Sequence, residues 1–140
     1  MFWSGWTAGP EAGNAGGVFV SVTRFQVIRR IDMPRIIWSG WRLKRRWGAL
    51  PGAVGTWLWV DFSARCVGSV SLWRGEADMR HFVRWQPHAE IVRRNRQAGH
   101  ILSTSWSAAA RDARAIRADA VRWFASVNTA TATGGRHAHN

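Results

Sequence analysis

A proline and a histidine, Pro87 and His88, interrupt an otherwise amphipathic stretch, SLWRGEADMRHFVRWQPHAEIVRR, residues Ser71 to Arg94. Imidazole is the side chain that exchanges a proton near neutral pH, so a histidine at a helix break is a candidate acid/base group. Pro87 holds φ at about −65° and offers no N–H, which suits the first turn of a new helix. Two readings of His88 follow: it hydrogen-bonds across the break, or the kink turns it toward a pocket. His81, seven residues earlier, falls on the polar side and reads as solvated surface. His100 opens a strand, as a strand-end residue or a pocket group, while His137 and His139 lie in a tail and do not make a metal pair. Cys66 starts a strand and reads as a small buried hydrophobe.

The remaining chemistry-bearing residues are aromatic and hydroxylic. Trp57, Trp59 and Trp73 sit on neighbouring predicted strands and could line a cavity for a flat or polyene ligand, with Ser21, Thr23 and Ser71 as its polar groups. No pair of carboxylates is spaced for acid/base work: Asp61 belongs to a hairpin end, and Glu76 and Asp78 to a helix's first turn, where the dipole favours anions. There is no phosphate-cradling glycine loop, nucleophile elbow or histidine-rich metal run, which removes hydrolase and phosphotransferase readings. An oxidase would draw its chemistry from a bound cofactor or from the substrate's own reactivity toward oxygen.

The elements that must hold these residues can be read in order. Val18–Ile28 is β-branched and alternating, hence a strand. Pro34 opens a helix whose apolar face runs through Met33, Ile36, Ile37, Gly40, Trp41 and Trp47, and RLKRRWG closes it with Gly48 as cap. Thr56–Phe62 and Cys66–Trp73 form a hairpin, a second helix from Glu76 breaks at Pro87 and ends before Gly99, and His100–Ser107 is the fourth strand. This is the βαββαβ plan of an α+β, ferredoxin-like fold with four antiparallel strands and two helices on one face. A last helix, Ala109 to about Val127, repeats apolar residues at spacings of three and four. Residues 1–16 and 128–140 read as loose tails around one domain, 17–127. The tetrapeptide WSGW occurs at Trp3–Trp6 and Trp38–Trp41, too short a match to indicate a repeat fold.

Two helices cover only one face of such a sheet, and Trp57 and Trp59 against Leu58, Val60 and Phe62 make both faces apolar. The expected solution is a second copy over the open face, hence a homodimer.

Length and composition set the limits: 140 residues, 46% of them hydrophobic, make one core. A single cysteine excludes an internal disulfide and fits the cytoplasm, and no export signal or membrane span is read. The net charge of +12 invites a nucleic-acid reading through RLKRR, RRNR, Arg24, Arg29 and Arg30. However, Lys44 is the sole lysine among twenty basic residues, and eleven tryptophans accompany no tyrosine. That skew looks like GC-rich coding, and the basic clusters match helix-end dipoles, so nucleic acid is not the expected partner.

Trp73, Met79, Phe82, Arg84, Pro87, His88 and Ala89, in type and spacing, resemble the corresponding helix of spheroidene monooxygenase and its relatives. These belong to the dimeric α+β barrel superfamily, alongside the antibiotic biosynthesis monooxygenases. The resemblance covers about twenty residues closely and Val18 to Ser107 in architecture. It implies a homodimer whose sheets enclose an apolar pocket and oxidise a hydrophobic small molecule, with Trp73 and His88 catalytic. It also implies haem, with His88 and His100 as candidate contacts and Cys66 as a minor thiolate option. The superfamily's haem-degrading branch keeps an Asn on the first strand and a Trp and a His ten residues apart on the second helix. Those helix positions are here Phe82 and Val92, and Ser21 and Thr23 stand on the strand, so that chemistry is not expected. A non-catalytic ligand-binding module on the same fold is the alternative.

Overall fold

The computed structural model describes residues 1–14 and 16–138, with side chains as far as 128. In chain order its elements are β1 (Phe2–Trp3), β2 (Thr7–Ala8), β3 (Val18–Val27), α1 (Met33–Lys44), β4 (Ala53–Asp61), β5 (Cys66–Trp73), α2 (Glu76–Arg84), α3 (Gln86–Arg94), β6 (Gly99–Ala108) and α4 (Ala113–Ala138). The sheet runs β1-β4-β5-β3-β6, with β2 also paired to β4 and every pairing antiparallel. β3, β4, β5 and β6 with α1 and α2/α3 form the expected ferredoxin-like α+β unit.

The N-terminus departs from the expected loose tail. Phe2–Trp3 and Thr7–Ala8 pair with β4 at the sheet's edge. The Trp6 ring lies 4.5 Å from that of Trp57 and directly over Gly55, where a Cβ would come within 1.9 Å of it. Two-residue strands in a Gly- and Ser-rich segment have no periodicity, and it is the apolar grip of Trp3 and Trp6 on the core that orders them. At the other end α4 continues to Ala138, past the expected limit at Val127, and His139 lies outside the described residues.

Alternation along the strands divides the sheet into two faces. Val18, Val20 and Val22 on β3, Trp57 and Trp59 on β4, and Cys66, Val70 and Leu72 on β5 share one, and α4 lies on it through Ile116, Ala120 and Phe124. The Phe124 ring meets that of Trp59 at 4.4 Å, and Gly68 makes room for Trp59, since a Cβ there would come 2.6 Å from the indole. Asp112 starts α4 by accepting from the Ala115 N–H at 3.1 Å. Arg24, buried on this face, donates to Asn128 on α4 at 2.8 Å and to Gln26 at 2.9 Å, which ties the helix to β3. The apolar face that led to the expectation of a second copy is therefore covered over β3, β4 and β5 by the chain's own last helix. The edge strand β6 stays open, with Ile101 and Leu102 51% and 44% exposed.

The other face carries α1, α2 and α3. α1 starts with Pro34 in its first turn and ends at Lys44, short of the expected Gly48 cap, because Trp47 turns inward in a 3₁₀ turn to pack on Trp73. The second helix breaks as expected: Trp85 is extended between α2 and α3. Gly99 is the first residue of β6, while Asn95 ends α3.

Candidate functional site

The face under α1, α2 and α3 holds not one core but two. Near one end Val27, Met33, Ile36 and Val67 pack together. Near the other Trp47, Leu50, Ala53 and Trp73 pack with Phe19, Met79, Phe82 and Trp85. Between them the strands present hydroxyls in register. Thr56 pairs with Ser71, Ser71 with Ser21, and Ser21 with Ser105, making one row across four strands. Leu58, Ser69, Thr23 and Ser103 make the next row.

On β3, Val20 and Val22 are fully buried on the opposite face, whereas Ser21 and Thr23 are half-buried despite lying in a central strand on the helix-covered side. The helix layer thus covers the hydroxyl rows only in part, and this partly open strip is the groove. The floor is ordered at one point: Trp73 Nε1–H donates to Ser71 Oγ at 2.9 Å, and Ser71 Oγ–H donates to the Ser21 carbonyl at 3.3 Å. Trp73 is itself fully buried, stacked with Trp47 and Phe82 at centroid distances of 5.2 and 5.1 Å, so it supports the groove wall through Ser71. The indole N–H of Trp47, buried in the same cluster, has no partner among the described residues, a state that costs about 1–3 kcal/mol unless an acceptor arrives. The Trp59 N–H, on the α4 side, is also unpartnered among the described residues.

The Pro87–His88 pair now has a geometric account. In an unbroken helix residue 87 would donate to the Val83 carbonyl, but proline has no N–H and its ring clashes with that carbonyl. The His88 ring takes the bond instead, Nδ1 to Val83 O at 3.1 Å, and stacks on Phe82 at 4.5 Å. Donation to a carbonyl fixes the proton on Nδ1. Burial pulls the His88 pKa below its ordinary value, and the Val83 carbonyl partly opposes this. The ring is thus neutral near pH 7 and fills the kink.

The structure brings Ser21, Thr23, Ser71 and Trp73 together and connects His88 to them only through Phe82. It does not bring Trp57 and Trp59 there: both pair in register with the Val22 side of the sheet and meet Trp6, Phe124 and Arg117. His100 is exposed on β6 opposite Gln26, remote from His88. Cys66 lies on the α4 side, its Sγ–H donating to Gln26 at 3.2 Å, and burial pushes its thiol pKa up. Among the described residues no three His, Cys, Asp or Glu side chains group to hold a metal. Haem fits these residues poorly, because none of His88, His100 and Cys66 opens onto the groove. Thr56, Ser69, Ser103 and Ser105 escaped the sequence reading, since their common row appears only once strand register is known.

The fold can now be compared with known structures. A candidate monooxygenase of Lactobacillus acidophilus NCFM superposes with a TM-score of 0.57 at 7% identity, over 74% of this chain and 50% of that one. An antibiotic biosynthesis monooxygenase gives 0.56 at 10%, over 67% and 99%. A ferredoxin-fold protein of Listeria monocytogenes 4b F2365, related to antibiotic biosynthesis monooxygenases, gives 0.51 at 18%, over 63% and 54%. The fold is that of antibiotic biosynthesis monooxygenase-like proteins. The chain spans half the length of the Lactobacillus protein. No protein-family model matches the sequence, and no curated protein is significantly similar to it. The heme-degrading enzyme LmHde of Listeria monocytogenes also shares the fold, with a TM-score of 0.52 at 17% identity over 74% and 66%.

Proposed function

We propose that the chain is a monooxygenase-like protein that holds a hydrophobic, oxygen-bearing small molecule in the groove between the helix layer and the hydroxyl rows. The observation that carries this reading is the half-exposure of Ser21 and Thr23 between two apolar clusters, on a strand whose other face is dry. Aromatic walls would take the ligand's rings or polyene, and Ser21, Thr23 and Ser69, whose hydroxyls make no side-chain hydrogen bond among the described residues, would meet its oxygens. The fold it shares with monooxygenases supports the reaction class.

Because His88 is engaged with Val83, we favour oxygenation without haem. The substrate supplies all four electrons: a CH₂ conjugated with a carbonyl loses a proton to solvent to give an enolate, which the floor hydroxyls stabilise by donation. Dioxygen adds at that carbon and takes a proton to give a hydroperoxide; loss of the remaining C–H proton breaks the O–O bond, so that one oxygen atom stays as a new carbonyl and the other leaves as water. Homodimerisation, in this reading, uses the β6 edge, where the structure leaves apolar side chains open, so Leu102→Arg would abolish a dimer seen by light scattering.

Anthrone is a suitable probe. Its aerobic conversion to anthraquinone, followed by absorbance, is expected to accelerate with the purified chain and to slow at least fivefold in Ser21→Ala/Thr23→Val. No acceleration, or an unchanged rate in that variant, would refute the reading.

A further inference from the structure

Beside the groove the helices enclose a second recess. α1 and α3 run antiparallel and are bound together at one end, where the Arg35 guanidinium donates to Asn95 Oδ1 through Nε and Nη2, both at 3.3 Å. A cleft of about 620 Å³ lies between them, with Ser39, Arg42, Leu43, Arg45 and Arg46 on one side and residues from Gln86 to Arg94 on the other. Its apolar surface comes from Leu43, Pro87 and Ile91, and its walls carry Arg42, Arg45, Arg46 and Arg94. Four arginines and one carboxylate, Glu90, thus line the cleft, and Glu90 already pairs with Arg94 at 2.7 Å. Arg42, Arg45 and Arg46 have no carboxylate partner among the described residues, and two of them are oriented by rings, Arg45 by Trp38 at 5.9 Å and Arg46 by Trp85 at 6.0 Å. Arg42, Arg45 and Arg46 cluster at the C-terminal end of α1, where the helix dipole favours cations, and Arg94 lines the cleft at its other end, beside Asn95.

We propose that this cleft binds a small organic anion, a carboxylate on a flat apolar body, with the rings against Leu43, Pro87 and Ile91 and the carboxylate among Arg42, Arg45 and Arg46. The guanidinium fork matches a carboxylate in two parallel hydrogen bonds, and the cleft is about 12 Å long between Gln86 and Arg94, enough for two fused rings. The site is distinct from the hydroxyl groove and stands whether or not the chain is an oxygenase.

Calorimetric titration of the full chain with 2-naphthoate and with the uncharged, near-isosteric naphthalene-2-carboxamide tests it. Naphthoate is expected to bind one per chain, at least tenfold tighter than the carboxamide. Arg42→Gln/Arg46→Gln should weaken naphthoate at least tenfold and leave the carboxamide within twofold. Arg29→Gln/Arg114→Gln removes the same charge from exposed positions elsewhere and should leave both ligands within twofold. Equal losses in the two double variants would assign the effect to overall charge and overturn the proposal, as would carboxamide binding as tight as naphthoate. A single-stranded 12-mer oligonucleotide is the third ligand: if it displaces naphthoate from the parent and loses affinity only in the cleft variant, the cleft is a nucleic-acid site and the small-anion assignment falls. Should Arg42→Gln/Arg46→Gln melt early, Arg42→Gln alone is read, with at least a threefold loss expected for naphthoate.

Discussion

The two faces of the sheet are built from the same strands, residue by residue in alternation, and differ in what the alternation delivers. Toward α4 the strands offer valine, leucine and tryptophan, and the helix closes over them with Ile116, Ala120 and Phe124 buried. Toward α1, α2 and α3 the apolar residues gather at two ends, and the middle is serine and threonine. A single continuous core maximises buried area, whereas a core divided by unpaired hydroxyls gives up stability that ligand contact can recover. The contrast teaches that α4 supplies stability on one face and frees the other to keep a polar middle.

Four substitutions would break or sharpen the contrast. Phe124→Ala removes the ring that meets Trp59 and should lower the urea-unfolding free energy by about 3–5 kcal/mol; a loss below about 1 kcal/mol would mean that α4 does not close this face. Trp6→Ala, at a half-buried ring over Gly55 and Trp57, should cost about 2 kcal/mol, and an unchanged unfolding midpoint would return the N-terminus to a loose tail.

His88→Phe tests the kink. It leaves the Val83 carbonyl without its partner, a loss of about 1 kcal/mol at pH 7. It also changes the pH response. The folded pKa of His88 is depressed, so between that value and the unfolded value of about 6.5 the folded state binds fewer protons. Stability present above about pH 6.5 is therefore lost as pH falls, and the variant should lose less of it than the parent between pH 7 and 5. A parallel decline in both proteins would show that His88 is not buried neutral. Smallest of the four, Thr23→Val should change the unfolding free energy by no more than about 0.5 kcal/mol, since its hydroxyl bonds to no side chain among the described residues, while weakening ligand binding in the groove.

Much of this arrangement is legible in the sequence. The order of strands and helices follows from β-branched alternation and helical spacing, and the break at Pro87 from the chemistry of proline. What the sequence withholds is register. Trp57 and Ser71 both lie on predicted strands, and only the pairing of Trp57 with Val70 reveals that they occupy opposite faces. The rows Thr56–Ser71–Ser21–Ser105 and Leu58–Ser69–Thr23–Ser103 are likewise a product of pairing between residues far apart in the chain. Phe2–Trp3 and Thr7–Ala8 form strands through pairing with β4, which local propensity does not encode. The sequence allows both readings of His88, and its bond to the Val83 carbonyl follows only from the geometry of the break.

The central claim is that ligand binds on the helix side of the sheet and not under α4. Amide chemical-shift mapping during titration with 2-naphthol tests it most directly. The largest shifts are predicted at Ser21, Thr23, Ser69 and Ser71, with Ile116, Ala120 and Phe124 unmoved; shifts concentrated on those three α4 residues, or none at saturation, would contradict it.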